Sequence, residues 1–194
     1  MDRSGPELDD ASIITAVRNW LERAVIGLNL CPFARAPYVQ GRVRFRVSQA
    51  TDDEELLADL VEELLGLAAV APERCETVLL IHPWALQDFA DFNEFLNAAE
   101  ACVQQLGLEG TLQVASFHPD YRFAGTRAED IENCTNRSPF PILHLLREES
   151  IERVVAAMDD PDAIYRRNIE RLRALGADGW RRVLAGDGEA DGAA

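Results

Sequence analysis

There is no lysine in this sequence: all 19 basic side chains are arginine. That excludes Schiff-base chemistry and any phosphate loop built around a lysine. Basic residues are also few beside the 34 acidic ones, which leaves a net charge of −15 over 194 residues. A surface of that sign repels phosphate backbones and anionic lipid, so neither nucleic acid nor a membrane is an expected partner. No stretch approaches the ~20 apolar residues of a membrane helix. The cysteines Cys31, Cys75, Cys102 and Cys134 form no CxxC pair, which removes zinc-knuckle and thioredoxin-type motifs. The opening residues, Met1 to Glu7, lack the apolar core of a secretory signal. With no sign of export, a reduced cytoplasmic protein is expected.

What is present suits one globular domain. Hydrophobic residues make up 47% of the chain and charged residues 27%. The domain is expected over 10–184, between flexible acidic tails at 1–9 and 185–194. Ile13, Val17, Leu21, Ala24 and Leu28 hold helical spacing, which predicts a helix from Ala11 to Leu28, ending before Cys31-Pro32. Val43 to Val47 alternates with arginines and reads as a half-exposed strand. Thr51-Asp52-Asp53-Glu54 reads as a capping box opening a second helix. Thr77 to Ile81 is continuously apolar after its first residue and predicts a strand buried on both faces. A helix over Leu86–Leu106, stopped by Gly107, then leads to a strand over Leu112–Phe117. Ile142–Leu146 predicts a fourth strand, with a helical reading open. Helices near 150–158 and 161–175 close the chain, the second capped by Asp160 and Pro161 and ended by Gly176. The expected fold is α/β (or α+β): a four-stranded, mostly parallel or mixed sheet covered by helices.

Three histidines carry most of the chemical signal. Ile81-His82-Pro83 and Phe117-His118-Pro119 each place a histidine directly after an apolar strand. If the intervening helix is a crossover, the strands run parallel and both imidazoles emerge at the carboxyl edge, where open α/β sheets bind ligands. On adjacent strands ~4.8 Å apart they would meet one ion or substrate. The plainer alternative is that each histidine merely ends its strand against a proline turn. Asp120, Tyr121 and Arg122 follow His118 directly. His118 suits a base or acid, with Asp120 as its orienter, as a metal ligand or as a turn cap. Asn136, Arg137 and Ser138 lie in a proline-bounded loop whose arginine suits a carboxylate or phosphate, unless its side chains only satisfy their own turn. His144 sits in an apolar strand, where a core role competes with that of a third imidazole ligand. Cys31, at a helix end, is a candidate nucleophile or thiolate ligand, or simply a small buried hydrophobe.

Three blocks carry a family resemblance. They are Ile26-Gly27-Leu28-Asn29-Leu30-Cys31-Pro32-Phe33, His118-Pro119-Asp120-Tyr121-Arg122-Phe123-Ala124-Gly125-Thr126, and Thr135-Asn136-Arg137-Ser138-Pro139 continuing to Leu143-His144-Leu145-Leu146-Arg147-Glu148. From about Ala11 to Trp180 the chain resembles the bacterial domain-of-unknown-function family 1415. The resemblance implies a bacterial cytoplasmic protein and no particular activity. It places Cys31, His82, His118, Asp120, Asn136, Arg137, Ser138 and His144 in signature blocks. Cys134 departs from the pattern, where an aromatic residue is usual.

The residues together predict an enzyme that uses a transition metal (iron, haem or zinc) held by His82, His118 and His144 or Cys31. Arg137, Asn136, Ser138 and Arg122 would bind a small anionic substrate, with Asp120 or Tyr121 assisting proton transfer. Two alternatives stand beside it. One is a metal-free enzyme with His118 as base and Cys31 as nucleophile. The other is a non-catalytic haem- or metal-binding or assembly protein. The acidic surface is compatible with a monomer or a homodimer.

Overall fold

A computed structural model describes residues 8–156, 160 and 162–187. Helix α1 (Asp10–Trp20) is capped by Asp9, whose carboxylate accepts the Ser12 N–H at 2.8 Å. It continues as a π-helical turn, Leu21–Ile26. A short helix α2 (Arg35–Val39) follows, then strand β1 (Val43–Val47). Helix α3 (Asp53–Ala68) and strand β2 (Thr77–Ile81) come next. Helix α4 (Phe89–Gln105), strand β3 (Leu112–Phe117) and a 3-10 turn (Ile131–Thr135) lead to strand β4 (Ile142–Arg147). Helices α5 (Glu148–Ala156) and α6 (Asp162–Ala185) complete the described chain.

The capping box forms one residue later than its sequence suggests. Asp52 is the N-cap of α3, accepting from Glu55 N–H, and Glu55 reaches back to the Thr51 N–H. Helix α4 starts at Phe89 rather than Leu86, because Asp88 caps it and Leu86 adopts a positive φ of 54°. Gly176 does interrupt the last helix (φ 65°, ψ 175°), yet the helix resumes and runs on to Ala185. The expected tails meet structure at their inner ends, where Asp9 caps α1 and Ala185 closes α6. Residues 1–7 and 188–194, positions 157–158 of the expected helix and the Pro161 cap lie outside the described residues.

The sheet is mixed, in the order β1-β2-β4-β3. Only β1 and β2 run parallel; β4 is antiparallel to both β2 and β3. The expected parallel pairing of β2 with β3 is therefore corrected: they point the same way, but β4 lies between them. Alternation of side chains sorts the core into two layers. Val78, Leu80, Leu143 and Leu145 face α3 and α4, meeting the fully buried stripe Leu56, Leu60, Leu64, Leu67. Leu79, Ile81 and Ile142 face the other way, against Ile13, Val17, Trp20 and Ala24 of α1 and its π turn, and Leu172 of α6. On edge strand β1, Arg44 and Arg46 both pair with Glu63 of α3. Val43, Phe45 and Val47 turn to the second layer. No helix among the described residues is long and apolar enough to cross a membrane.

Candidate functional site

Strand parity divides the three histidines between the two faces of the sheet. His82 and His118 follow the ends of β2 and β3 at the same edge, on the α4 side. Both are fully buried and lie against Phe92, at ring-centroid distances of 5.6 and 5.1 Å. A carbonyl oxygen only accepts, so His82 Nδ1–H donates to Ala85 O at 3.0 Å and His118 Nε2–H to Leu86 O at 3.2 Å. His118 Nδ1 accepts the Asp120 N–H at 3.0 Å. Burial holds His82 down at about 4 and also lowers His118, so both imidazoles are neutral near pH 7. His82 Nε2 is buried with no partner among the described residues. The pair thus shares one sheet edge, as expected. The two rings pin the 83–87 turn from below and are closed off from solvent.

The loop blocks are occupied in the same way. Arg137 Nε donates to Tyr121 O at 3.3 Å and its Nη2 bonds Ala128 O. Asn136 Nδ2 donates to Ser116 O at 3.1 Å, and Ser138 Oγ to Phe140 O at 2.5 Å. Asn133 Oδ1 accepts from Phe123 N–H and Thr126 Oγ1–H, while its Nδ2 donates to Arg127 O. Tyr121 packs between Phe89 and Phe123, at 5.3 and 5.0 Å. Asp120 and Arg122 are exposed. Of the polar groups expected to receive a substrate, Asn136, Arg137 and Ser138 are engaged in tying down the 24-residue connection between β3 and β4, while Arg122 is exposed.

The cavity of interest opens on the opposite face. It measures about 230 Å³ and is walled by Leu21, Phe33, Leu79, Leu146, Ile151 and Val154, with Cys31, Thr77 and His144 among its polar lining. Cys31 therefore shares a cavity with His144, not with His118. Thr77 Oγ1–H donates to Leu145 O at 2.5 Å, so it accepts His144 Nε2–H at 2.8 Å. That fixes the tautomer and leaves Nδ1 as the basic nitrogen, without a partner among the described residues. Burial lowers His144 to about 4, so its ring is a neutral acceptor. Phe117 backs it at 5.9 Å.

Cys31 reaches this cavity because the helix before it is underwound into a wider π turn. Gly27 N–H bonds Glu22 O and Leu30 N–H bonds Val25 O, both five residues back. A Cβ on Gly27 would stand 2.2 Å from Arg23 O, so only glycine fits. Asn29 then turns left-handed at φ 49° and delivers Cys31 to the turn before α2. Burial pushes the Cys31 thiol up, while the nearby Phe33 and Ala34 N–H groups oppose that shift; the Ala34 N–H itself donates to Cys31 O at 3.3 Å. Cys75, Cys102 and Cys134 are free thiols buried in the core.

Two cations at the cavity are committed elsewhere. Arg42 pairs with Glu76 at 3.1 Å, and Arg147 Nη2 donates to Leu67 O, Val70 O and Cys75 O at the end of α3. Arg153 is exposed and paired with Glu149 one turn away. Among the described residues no three His, Cys, Asp or Glu side chains gather as a metal would require. The site residue that sequence reasoning missed is Thr77, whose only signal is a hydroxyl opening an otherwise apolar strand.

No solved structure and no curated protein shows a significant similarity to the chain. The family that matches is a protein family of unknown function, DUF1415, over residues 12–182. With that match spanning most of its length, the chain belongs to the DUF1415 family.

Proposed function

We propose that this protein is a metal-free thiol–imidazole enzyme working at the Cys31–His144 cavity, on a small, largely apolar molecule with an electrophilic carbonyl carbon. The observation that carries the reading is the shared cavity. It brings together a thiol and a neutral imidazole oriented by a hydroxyl. A nucleophile, a base and an orienting group are the three parts covalent catalysis needs. Thiol attack on the carbonyl carbon would pass the Cys31 proton to His144 Nδ1. The imidazolium would return it to the departing group as a Cys31 thioester forms. Water would then release the acid and restore the thiol, with His144 again taking the proton.

Apolar walls and committed arginines favour an acyl group over an anion. The transition-metal or haem reading has less support. The three imidazoles lie on two faces, and about 230 Å³ is below the roughly 300–1,000 Å³ of pockets that enclose drug-sized molecules. A porphyrin is larger still.

Short-chain p-nitrophenyl esters supply the test, read as turnover and as an acyl mass increment on the Cys31 peptide. His144→Gln should cost about 10²–10⁴-fold in turnover, and Cys31→Ser should abolish the increment. Turnover that survives Cys31→Ser sinks the reading. Ester binding without turnover or acylation would favour the non-catalytic binding role instead.

A further inference from the structure

The last carbonyls of a helix have no partner within it. Here three in succession, Leu28 O, Asn29 O and Leu30 O, lie between the π turn and Cys31, and each is taken by a side chain of α6. Arg171 Nη1 bonds Leu28 O, Arg167 Nη2 donates to Asn29 O at 3.1 Å, and Asn168 Nδ2 donates to Leu30 O at 2.7 Å. These contacts span more than 130 residues of sequence. Asn168 is 3% exposed, and its Oδ1 is buried without a partner among the described residues. A half-satisfied buried amide is costly, and a leucine of similar volume would avoid that cost. What leucine lacks is the donor to the carbonyl directly before Cys31.

We infer that Asn168, assisted by Arg171, is a positioning residue that holds the peptide entering Cys31 and so keeps the Cys31 sulfur at its place in the cavity. The inference deepens the thiol-enzyme reading and rests on it for its catalytic meaning, but its test reads the thiol itself. Holding Leu30 O fixes the peptide that enters Cys31. Releasing it lets the left-handed Asn29 turn relax and moves the sulfur. The Phe33 and Ala34 N–H groups then oppose the effect of burial less, and the apparent thiol pKa rises.

The experiment is iodoacetamide alkylation of the full-length protein between pH 6 and 10, quantified at the Cys31 peptide by mass spectrometry. Asn168→Leu should shift the profile to higher pH and slow alkylation at pH 8 by at least about fivefold. Leu172→Ala, an equally buried change in the same helix, should lower Tm without moving the profile. Asn168→Asp regains a donor only when protonated, so its deficit relative to wild type should shrink toward pH 6. An unchanged profile in Asn168→Leu overturns the proposal, as does an equal shift in Leu172→Ala. Should Asn168→Leu fail to fold, Arg171→Ala, which is exposed, must shift the profile the same way; no shift there overturns it too. Ester turnover that persists in Cys31→Ser would sink the enzyme reading while leaving the profile shift intact, so the two failures are distinguishable.

Discussion

At the residue scale, the histidines show how burial sets protonation. His82 and His144 are each lowered to about 4 from an ordinary 6.5, because burial disfavours the charged ring. His118 is lowered for the same reason. The folded state therefore binds protons more weakly than the unfolded chain. Stability is fully present above pH 6.5 and is lost as pH falls from there toward about 4. For His82 or His144 the loss is up to about 3 kcal/mol. Urea unfolding at pH 7 and pH 5 should show this, and His82→Gln should flatten the dependence. His82→Gln retaining the full wild-type loss would refute it. Cys31 makes the complementary point. Sequence identified it as a candidate nucleophile and paired it with His118, whereas its cavity neighbour is His144. Nothing local to either residue reveals that pairing, which depends on which face of the sheet each strand residue occupies.

At the element scale, the π turn after α1 decides where Cys31 points. Its periodicity is helical enough that Ala11–Leu28 reads as one helix, and the structure does keep it helical to Ile26. The switch from four-back to five-back hydrogen bonds is invisible to hydrophobic spacing. Its trace is Gly27, where a Cβ would collide with Arg23 O. Gly27→Ala should cost about 1–3 kcal/mol, as overpacking against backbone does, and should alter Cys31 alkylation as well. A variant that keeps both its urea midpoint and its alkylation rate would show that the turn tolerates a side chain. The loop 118–141 misleads in the opposite direction. Its Asn, Arg and Ser residues resemble a receptor for an anion, but Asn133 and Arg137 bond backbone carbonyls of the same connection and Asn136 bonds Ser116 O of β3. Amide and guanidinium groups serve both purposes, and composition does not distinguish them.

At the scale of the whole molecule, a net charge of −15 without lysine makes the folded state repel itself. Ion pairs such as Arg44 and Arg46 with Glu63 offset this locally. Raising salt from about 20 to 300 mM at pH 7 should therefore raise Tm by screening the excess, since that takes the Debye length well below the protein's diameter. The gain should shrink toward pH 4.5, where the charge approaches zero. A Tm indifferent to salt at pH 7 would mean that paired charges cancel the repulsion.

Sequence by itself determined the α/β class, the first three strands to the residue, and the helical stripes, and left Ile142–Leu146 open between strand and helix. Each of those depends on local periodicity and on caps within a few residues. It also offered a shared edge for His82 and His118, on the condition that β2 and β3 run in one direction, which they do. The tertiary structure alone decided that β4 enters between them, and that His144 turns to the opposite face. It also brought Thr77, Cys31 and the α6 side chains to that face. The reason is physical: strand order and face are set by burying both sides of the sheet at once. That balance is summed over residues far apart in the chain, and no local spacing encodes it.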